Sequence, residues 1–199
     1  MKEAIGVDHI TLCVKNLAAT KYLFTHILGF DVIWSAQDVG SEKSSMDTVV
    51  VQRGEAKVAL MQGRNKERKS QICEFVETYG EGVQHIALEV DDIEAVCREW
   101  EKHGVRFCGD IKDGRDGFGP LRQRFTYPLF PGCGLFLELT QRQHGTEESK
   151  TFVRATVESL YRDIERDQIK GVARTIIDYE TLPLPFEEEV EAASLRHAS

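Results

Sequence analysis

Three side chains far apart along the chain, His9, His85 and Glu138, are of the types that hold a metal. Successive side chains of a strand point to opposite faces, so each strand divides into two sides. In VDHITLCV, Ile10, Leu12 and Val14 form the side that packs on a helix, leaving His9, Thr11 and Cys13 on the other. In VQHIALEV, His85 stands opposite Ile86, Leu88 and Val90; in LFLELT, Glu138 lies with Phe136 and Thr140, opposite Leu135, Leu137 and Leu139. If these strands border one cup, two imidazoles and a carboxylate line it. An enclosed carboxylate without a partner costs on the order of several kcal/mol, and a divalent metal would supply the partner. Singly, each histidine reads equally well as a satisfied core residue and Glu138 as a solvent-facing one; their coincidence on cup-facing positions favours the metal.

The elements that must position these residues come from a repeat. VDHITLCV at residue 7 and VQHIALEV at residue 83 agree at five of eight positions: Val7/Val83, His9/His85, Ile10/Ile86, Leu12/Leu88 and Val14/Val90. Each copy continues with a helical stretch (AATKYLFTHIL, EAVCREWEKH), a glycine (Gly29, Gly104) and a short apolar strand (FDVIW, VRFCG). The first copy closes with DTVVVQRG and AKVALMQG, a hairpin joined at Gly54; the second closes with LRQRFTYPLF and LFLELTQR around Pro131 and Gly132. The spacing is too long for a solenoid unit and reads as two βαβββ modules. Laying VALM (58–61) on LELT (137–140) puts Ala59 where the second copy has Glu138. Four ligands in such a duplicate would suit a Lewis-acid metal for proton transfer. Three leave positions for a bidentate substrate and for O2, as in non-haem Fe(II) oxygenases.

The expected architecture is α+β: two tandem modules, about 5–63 and 82–142, closing into a cup-shaped mixed sheet within a domain over 1–145. A linker helix over 66–80 joins them, with Ile72, Phe75 and Val76 at helical spacing. A helical extension follows over 146–180. Within it Val153, Val157, Leu160, Tyr161 and Ile164 fall on one helical face, either closing the mouth of the cup or covering a sheet or dimer contact. Residues 181–199 read as an acidic mobile tail.

The 199 residues suffice to bury a core without disulfides. A net charge of −8 argues against nucleic acid, which needs clustered cations. No segment reads as a signal peptide or a membrane span, and five cysteines without CxxC spacing fit a reduced, cytoplasmic protein.

The modules resemble the vicinal oxygen chelate superfamily. SSMDTVVV, RKSQICEFVETYGEGVQHIAL, LRQRFTYPLF and LFLELTQR are similar to the metal-bearing C-terminal half of the 4-hydroxyphenylpyruvate dioxygenase family. The likeness covers about residues 5–142 and, more weakly, VESLYRDIERDQ (157–168). It implies that His9, His85 and Glu138 are iron ligands, that Gln71, Gln84 and Gln123 line the substrate pocket, and that Phe125 stacks on a substrate ring. Thr48 stands where the family has a serine, and Met61 where it has an asparagine. Strand parity puts Gln123 and Phe125 on one face, but turns Gln84 away from the side of His85 unless a bulge intervenes. Gln71 reads as a pocket residue by resemblance and as a helix-surface amide by position. The segment from Asp110 to Leu121 reads as a short loop.

The resemblance implies a cytoplasmic Fe(II) dioxygenase that oxidatively decarboxylates and hydroxylates a 2-oxo acid, with that acid and O2 as its small-molecule partners. The amide lost at Met61, and SKTFVRATV in place of the glycine-and-phenylalanine segment that introduces the family's lid helix, point away from 4-hydroxyphenylpyruvate itself. The alternatives are a non-oxidative isomerase, epimerase or lyase using Mn, Co, Zn or Ni, and a protein that only sequesters a small molecule. A homodimer is compatible with the sequence.

Overall fold

The computed structural model describes residues 4–116, 119–142, 154–169 and 175–176. Its strands are β1 (Ala4–Cys13), β2 (Asp31–Gly40), β3 (Ser44–Arg53), β4 (Ala56–Asn65), β5 (Gly82–Val90), β6 (Phe107–Asp116), β7 (Gly119–Thr126) and β8 (Phe136–Arg142). They form one curled mixed sheet in the order β2-β3-β4-β1-β5-β8-β7-β6. The order is a mirror about its centre: β1 pairs parallel with β4 and β5 parallel with β8, and β1 and β5 run antiparallel where the modules meet. The parallel strands need crossovers, and the chain supplies a helix in each. In the first module this is α1 (Leu17–Tyr22) running into a π-turn (Leu23–Ile27); in the second it is α3 (Ile93–Lys102).

Local chemistry sets the helix ends. Asn16 accepts from the backbone N–H of Ala19, and Asp92 accepts from that of Ala95, each opening its helix. The linker helix is α2 (Gln71–Tyr79), shorter than the expected 66–80. Ser70 takes up an extended conformation, caps the helix through Ile72 N–H and gives its own N–H to the Asn65 side chain, so the chain cannot be helical before it. Gly63 lets the end of β4 lie against the start of α2; a Cβ there would sit 2.6 Å from Cys73 Sγ. The hairpin at Gly54 is present, with that glycine at φ 57°. From Asp110 to Leu121, where the sequence suggests a loop, the described residues belong to β6 and β7. The glycines there imply a loop, but ladder bonds to β8 hold β7, which holds β6.

The two faces of the sheet differ from the expectation in one respect. Leu12, Val49, Val51 and Leu60 pack outward against Leu17 and Phe24, and Val90, Val96, Cys97 and Leu139 form the matching outer core of the second module. Yet the inner face of β1, read as the side away from the core, is buried more completely, with Thr11 and Cys13 at 0% exposure. The cover is α4 (Arg154–Ile169), whose Leu160 joins Cys108, Phe125 and Phe136, while Tyr161 joins Cys13, Met46 and Ile72. Full burial of such side chains is worth about 2 kcal/mol each. Val153, the tail over 181–199 and the flanks of the extension lie outside the described residues. No disulfide joins the five cysteines, and no described helix is long and apolar enough to cross a membrane.

Candidate metal centre

His9 on β1, His85 on β5 and Glu138 on β8 meet on the inner face of the sheet, all buried, with ligand atoms within 4.8 Å of one another. Register explains the meeting: Thr11 pairs with both His85 and Ala59, and Ala87 pairs with Glu138. Glu138 Oε2 lies 3.4 Å from His85 Nε2 and 3.6 Å from His9 Nε2. Its other oxygen, Oε1, accepts from Gln123 Nε2 and, at 2.9 Å, from the Thr140 hydroxyl. One oxygen is therefore fixed by the protein and the other faces the two imidazoles.

The imidazoles are held from behind. Asp8 Oδ1 accepts from His9 Nδ1 at 2.7 Å, and Gln84 Oε1 from His85 Nδ1 at 3.2 Å. Both oxygens can only accept, so each ring carries its proton on Nδ1 and directs the Nε2 lone pair into the cluster. The Thr11 hydroxyl stands 2.8 Å from His85 Nε2 and would give up that lone pair to a metal. Burial, followed by the nearby His9, holds His85 well below the ordinary imidazole range and keeps it neutral. Burial likewise pushes the Glu138 carboxyl up, against the opposing pull of His9 and its hydrogen bonds. Two imidazole nitrogens and a carboxylate oxygen thus converge in a site where burial penalises a negative charge. That donor set fits a divalent cation, which relieves the penalty and uses all three lone pairs.

The cavity beside this cluster has a volume of about 60 Å³. Gln71, Gln84, Gln123 and Phe125 line it, as do Thr48 and Met61, which face each other across β3 and β4. Gln84 reaches it because β1 and β5 slip at this point: Thr11 pairs with His85 and Leu12 with Val83, leaving Gln84 as the extra residue of a bulge. Gln71 is buried, not a surface amide, and donates Nε2 to the backbone carbonyl of Tyr161 at 3.2 Å. The Oε1 atoms of Gln71 and Gln123 are buried without a hydrogen-bond partner. Val157, Leu160, Tyr161 and Ile164 of α4 complete the wall. The Tyr161 hydroxyl donates to Ser44 Oγ at 3.0 Å and lies 3.2 Å from Ser70 Oγ, tying the helix to β3 and α2.

Sequence reasoning missed Trp34, Asp8 and Arg142. Trp34 lines the cavity although FDVIW reads only as an apolar strand. Asp8 and Gln84 occupy the same position in the two copies, directly before the histidine, and the repeat contained that signal. A larger cavity of about 490 Å³ lies beyond Phe125 and Gln84 and includes none of the three ligand candidates.

Residues 8–120 match the model of the glyoxalase/bleomycin resistance protein/dioxygenase superfamily, more than half of the chain. The chain belongs to this superfamily. Within it, the chain is homologous to 4-hydroxyphenylpyruvate dioxygenases: 40% identical to that of Dictyostelium discoideum over 206 residues and 29% identical to that of Yarrowia lipolytica over 207, each alignment covering 83% of this chain. It spans about half the length of these relatives, 55% and 51%. Among solved structures, a variant of 4-hydroxymandelate synthase from Streptomyces coelicolor superposes with a TM-score of 0.73 at 24% identity, covering 81% of this chain and 55% of that one. Methylmalonyl-CoA epimerase from Mycobacterium tuberculosis gives 0.57 at 22% identity, covering 72% and 91%. These two likenesses are of fold alone.

Proposed function

We propose that the chain is an Fe(II)-dependent dioxygenase that decarboxylates and hydroxylates a 2-oxo acid, with His9, His85 and Glu138 as the metal ligands. The observation that carries this reading is the N,N,O set itself, with Ala59 at the corner where a fourth ligand would stand. Homology to 4-hydroxyphenylpyruvate dioxygenases agrees with it. Bound there, Fe(II) would relay electrons from the 2-oxo acid to O2 and offer open positions for the substrate's carboxylate and keto oxygen. The protein supplies the rest. Gln123 and Thr140 keep Glu138 turned so that one oxygen faces the ligand cluster. The single carboxylate leaves a ferrous centre one positive charge, which a substrate carboxylate balances. Phe125 offers an apolar wall, and Gln71, Gln84 and Gln123 offer amides for orientation.

Water exclusion falls to α4. A volume of about 60 Å³ is far below the roughly 300–1,000 Å³ of ordinary ligand sites, so α4 must yield to admit substrate and close over it. The epimerase alternative draws on the fold likeness but requires a proton-transferring group, and Ala59 offers none where the fourth carboxylate would stand. The deciding experiment supplies 2-oxo acids to anaerobically Fe(II)-loaded protein in an oxygen electrode. Equal uptake of O2 and release of CO2 is expected. Turnover without O2 would overturn the reading in favour of an isomerase or lyase, and binding without turnover would favour a sequestering protein.

A further inference from the structure

The residues directly before the two histidines occupy the same position in the repeat and do the same thing: each hydrogen-bonds the Nδ1 of its own histidine. They differ in chemistry. Gln84 presents a neutral amide at 3.2 Å; Asp8 presents a carboxylate at 2.7 Å. Asp8 is also the centre of a buried ionic cluster. Arg142, at the end of β8, grips both its oxygens, through Nε on Oδ2 and Nη2 on Oδ1, and Lys57 Nζ of β4 stands 3.7 Å from Oδ1. All three side chains are largely enclosed.

Enclosing such a cluster is a poor way to gain stability, because the desolvation of each ion offsets its attraction and well-packed apolar side chains do as well or better. Its arrangement has a clearer use at the metal. Arg142 and Lys57 balance the Asp8 carboxylate, and that carboxylate takes the Nδ1 side of the His9 ring, so Nε2 is the atom turned to the ligand cluster. A carboxylate accepting from Nδ1–H fixes the ring and makes Nε2 a better donor to the metal; an amide oxygen fixes the ring with less electronic effect.

We propose, resting on the metal-centre reading above, that Asp8 clamped by Arg142 is the positioning residue that makes His9 the stronger of the two histidine ligands, while Gln84 holds His85 as the weaker one. The duplication has kept the orienting hydrogen bond in both modules and changed its charge in one. The ligand set is thereby asymmetric, with an anion-backed imidazole from the first module and an amide-backed imidazole from the second.

The test is a titration of full-length, metal-free protein with Co(II), reading both the dissociation constant and the visible ligand-field bands. Wild type is expected to bind one Co(II), and Glu138→Ala to lose binding. Asp8→Asn keeps an oxygen for Nδ1–H and removes the charge; it should weaken Co(II) binding about 10–100-fold and shift the bands. Gln84→Ala should cost less. Because Asp8→Asn also takes the anion out of a buried ion pair with Arg142, its melting temperature should fall. Asp8→Asn/Arg142→Gln removes the matching cation, and should recover the melting temperature but not the affinity. Wild-type affinity and spectrum in Asp8→Asn, restored affinity in the double variant, or a larger loss in Gln84→Ala would each overturn the proposal. No Co(II) binding by wild type would instead overturn the metal-centre reading on which it rests.

Discussion

In the first module β1 and β4 set Thr11 beside Ala59; in the second, β5 and β8 set Ala87 beside Glu138. The strand pairs are superimposable in register, and the histidine two residues before each, His9 or His85, faces the same interior. Only the second module adds a carboxylate. One half of the molecule therefore brings a single candidate ligand and the other brings two, and the open corner of the site is an absent side chain, not an altered backbone. On the proposed reading, a duplicated scaffold would move from four ligands to three, and from closed coordination towards oxygen chemistry, by changing one residue type at a fixed position.

The largest expected effect breaks the comparison by removing a candidate ligand from either side. His9→Ala, His85→Ala and Glu138→Ala should each lower Fe(II) affinity by two orders of magnitude or more (roughly 3 kcal/mol), since a metal held by three ligands loses one outright, and His9→Ala should cost at least as much as His85→Ala. Equilibrium dialysis under anaerobic conditions with iron analysis measures it. Full iron occupancy in a His9→Ala/Glu138→Ala double variant would show that the cluster is not the site.

The opposite change sharpens the comparison. Ala59→Glu would give the first module the carboxylate it lacks, beside Thr11 and facing the cavity. The expected outcome is tighter binding of Mn(II) or Co(II), by about tenfold, together with loss of O2-dependent turnover as an open position is filled. Calorimetric titration and the oxygen electrode report the two halves separately. Unchanged turnover with tighter binding would mean that position 59 does not mark the open corner.

A smaller effect is expected at the cover common to both modules. Truncation after Gln143 should leave metal binding within a few-fold but allow O2 uptake to exceed product formation, because it removes the α4 side chains that wall the cavity. Coupling that stays at unity while solubility falls would assign α4 to packing alone. Tyr161→Phe, which removes the hydroxyl bonded to Ser44 and Ser70, should cost about 1 kcal/mol of stability in chemical denaturation.

Much of this arrangement was legible because the repeat and strand parity are both local. Aligning Ala59 with Glu138 required only two short strings, and the three inward positions followed from alternation along single strands. What escaped depends on pairing between distant segments. Gln84 faces inward only because β5 carries one residue more than β1 at the junction of the modules, which neither strand reveals alone. Gln71 is buried only because α4 descends on it from ninety residues away. The strands through 110–121 escaped for the same reason: their glycines imply a loop, and only the ladder with β8 makes them strands. Asp8 was visible but lacked meaning until Arg142 was placed beside it.

The smallest effect concerns the substrate end of the first module. Thr48 and Met61 are paired neighbours on β3 and β4, and with Trp34, Met46 and Val50 they give that wall of the cavity an apolar character, opposite the glutamines contributed by α2, β5 and β7. A site that hydrogen-bonds a substrate hydroxyl rejects analogues lacking it strongly, whereas an apolar pocket discriminates by only about 1–3 kcal/mol. Methionine at 61, flexible and without a strong hydrogen-bonding group, therefore suits an aliphatic or unsubstituted aromatic group better than a phenol. Phenylpyruvate or a branched aliphatic 2-oxo acid should exceed 4-hydroxyphenylpyruvate in kcat/KM by about tenfold, and Met61→Asn should narrow or reverse that ratio while leaving metal affinity unchanged. Measuring kcat/KM for the three acids in both forms decides it. A wild-type preference for the phenol would mean that the hydroxyl finds its partner among Gln71, Gln84 and Gln123, and that selectivity belongs to the second module and α2 rather than to the first.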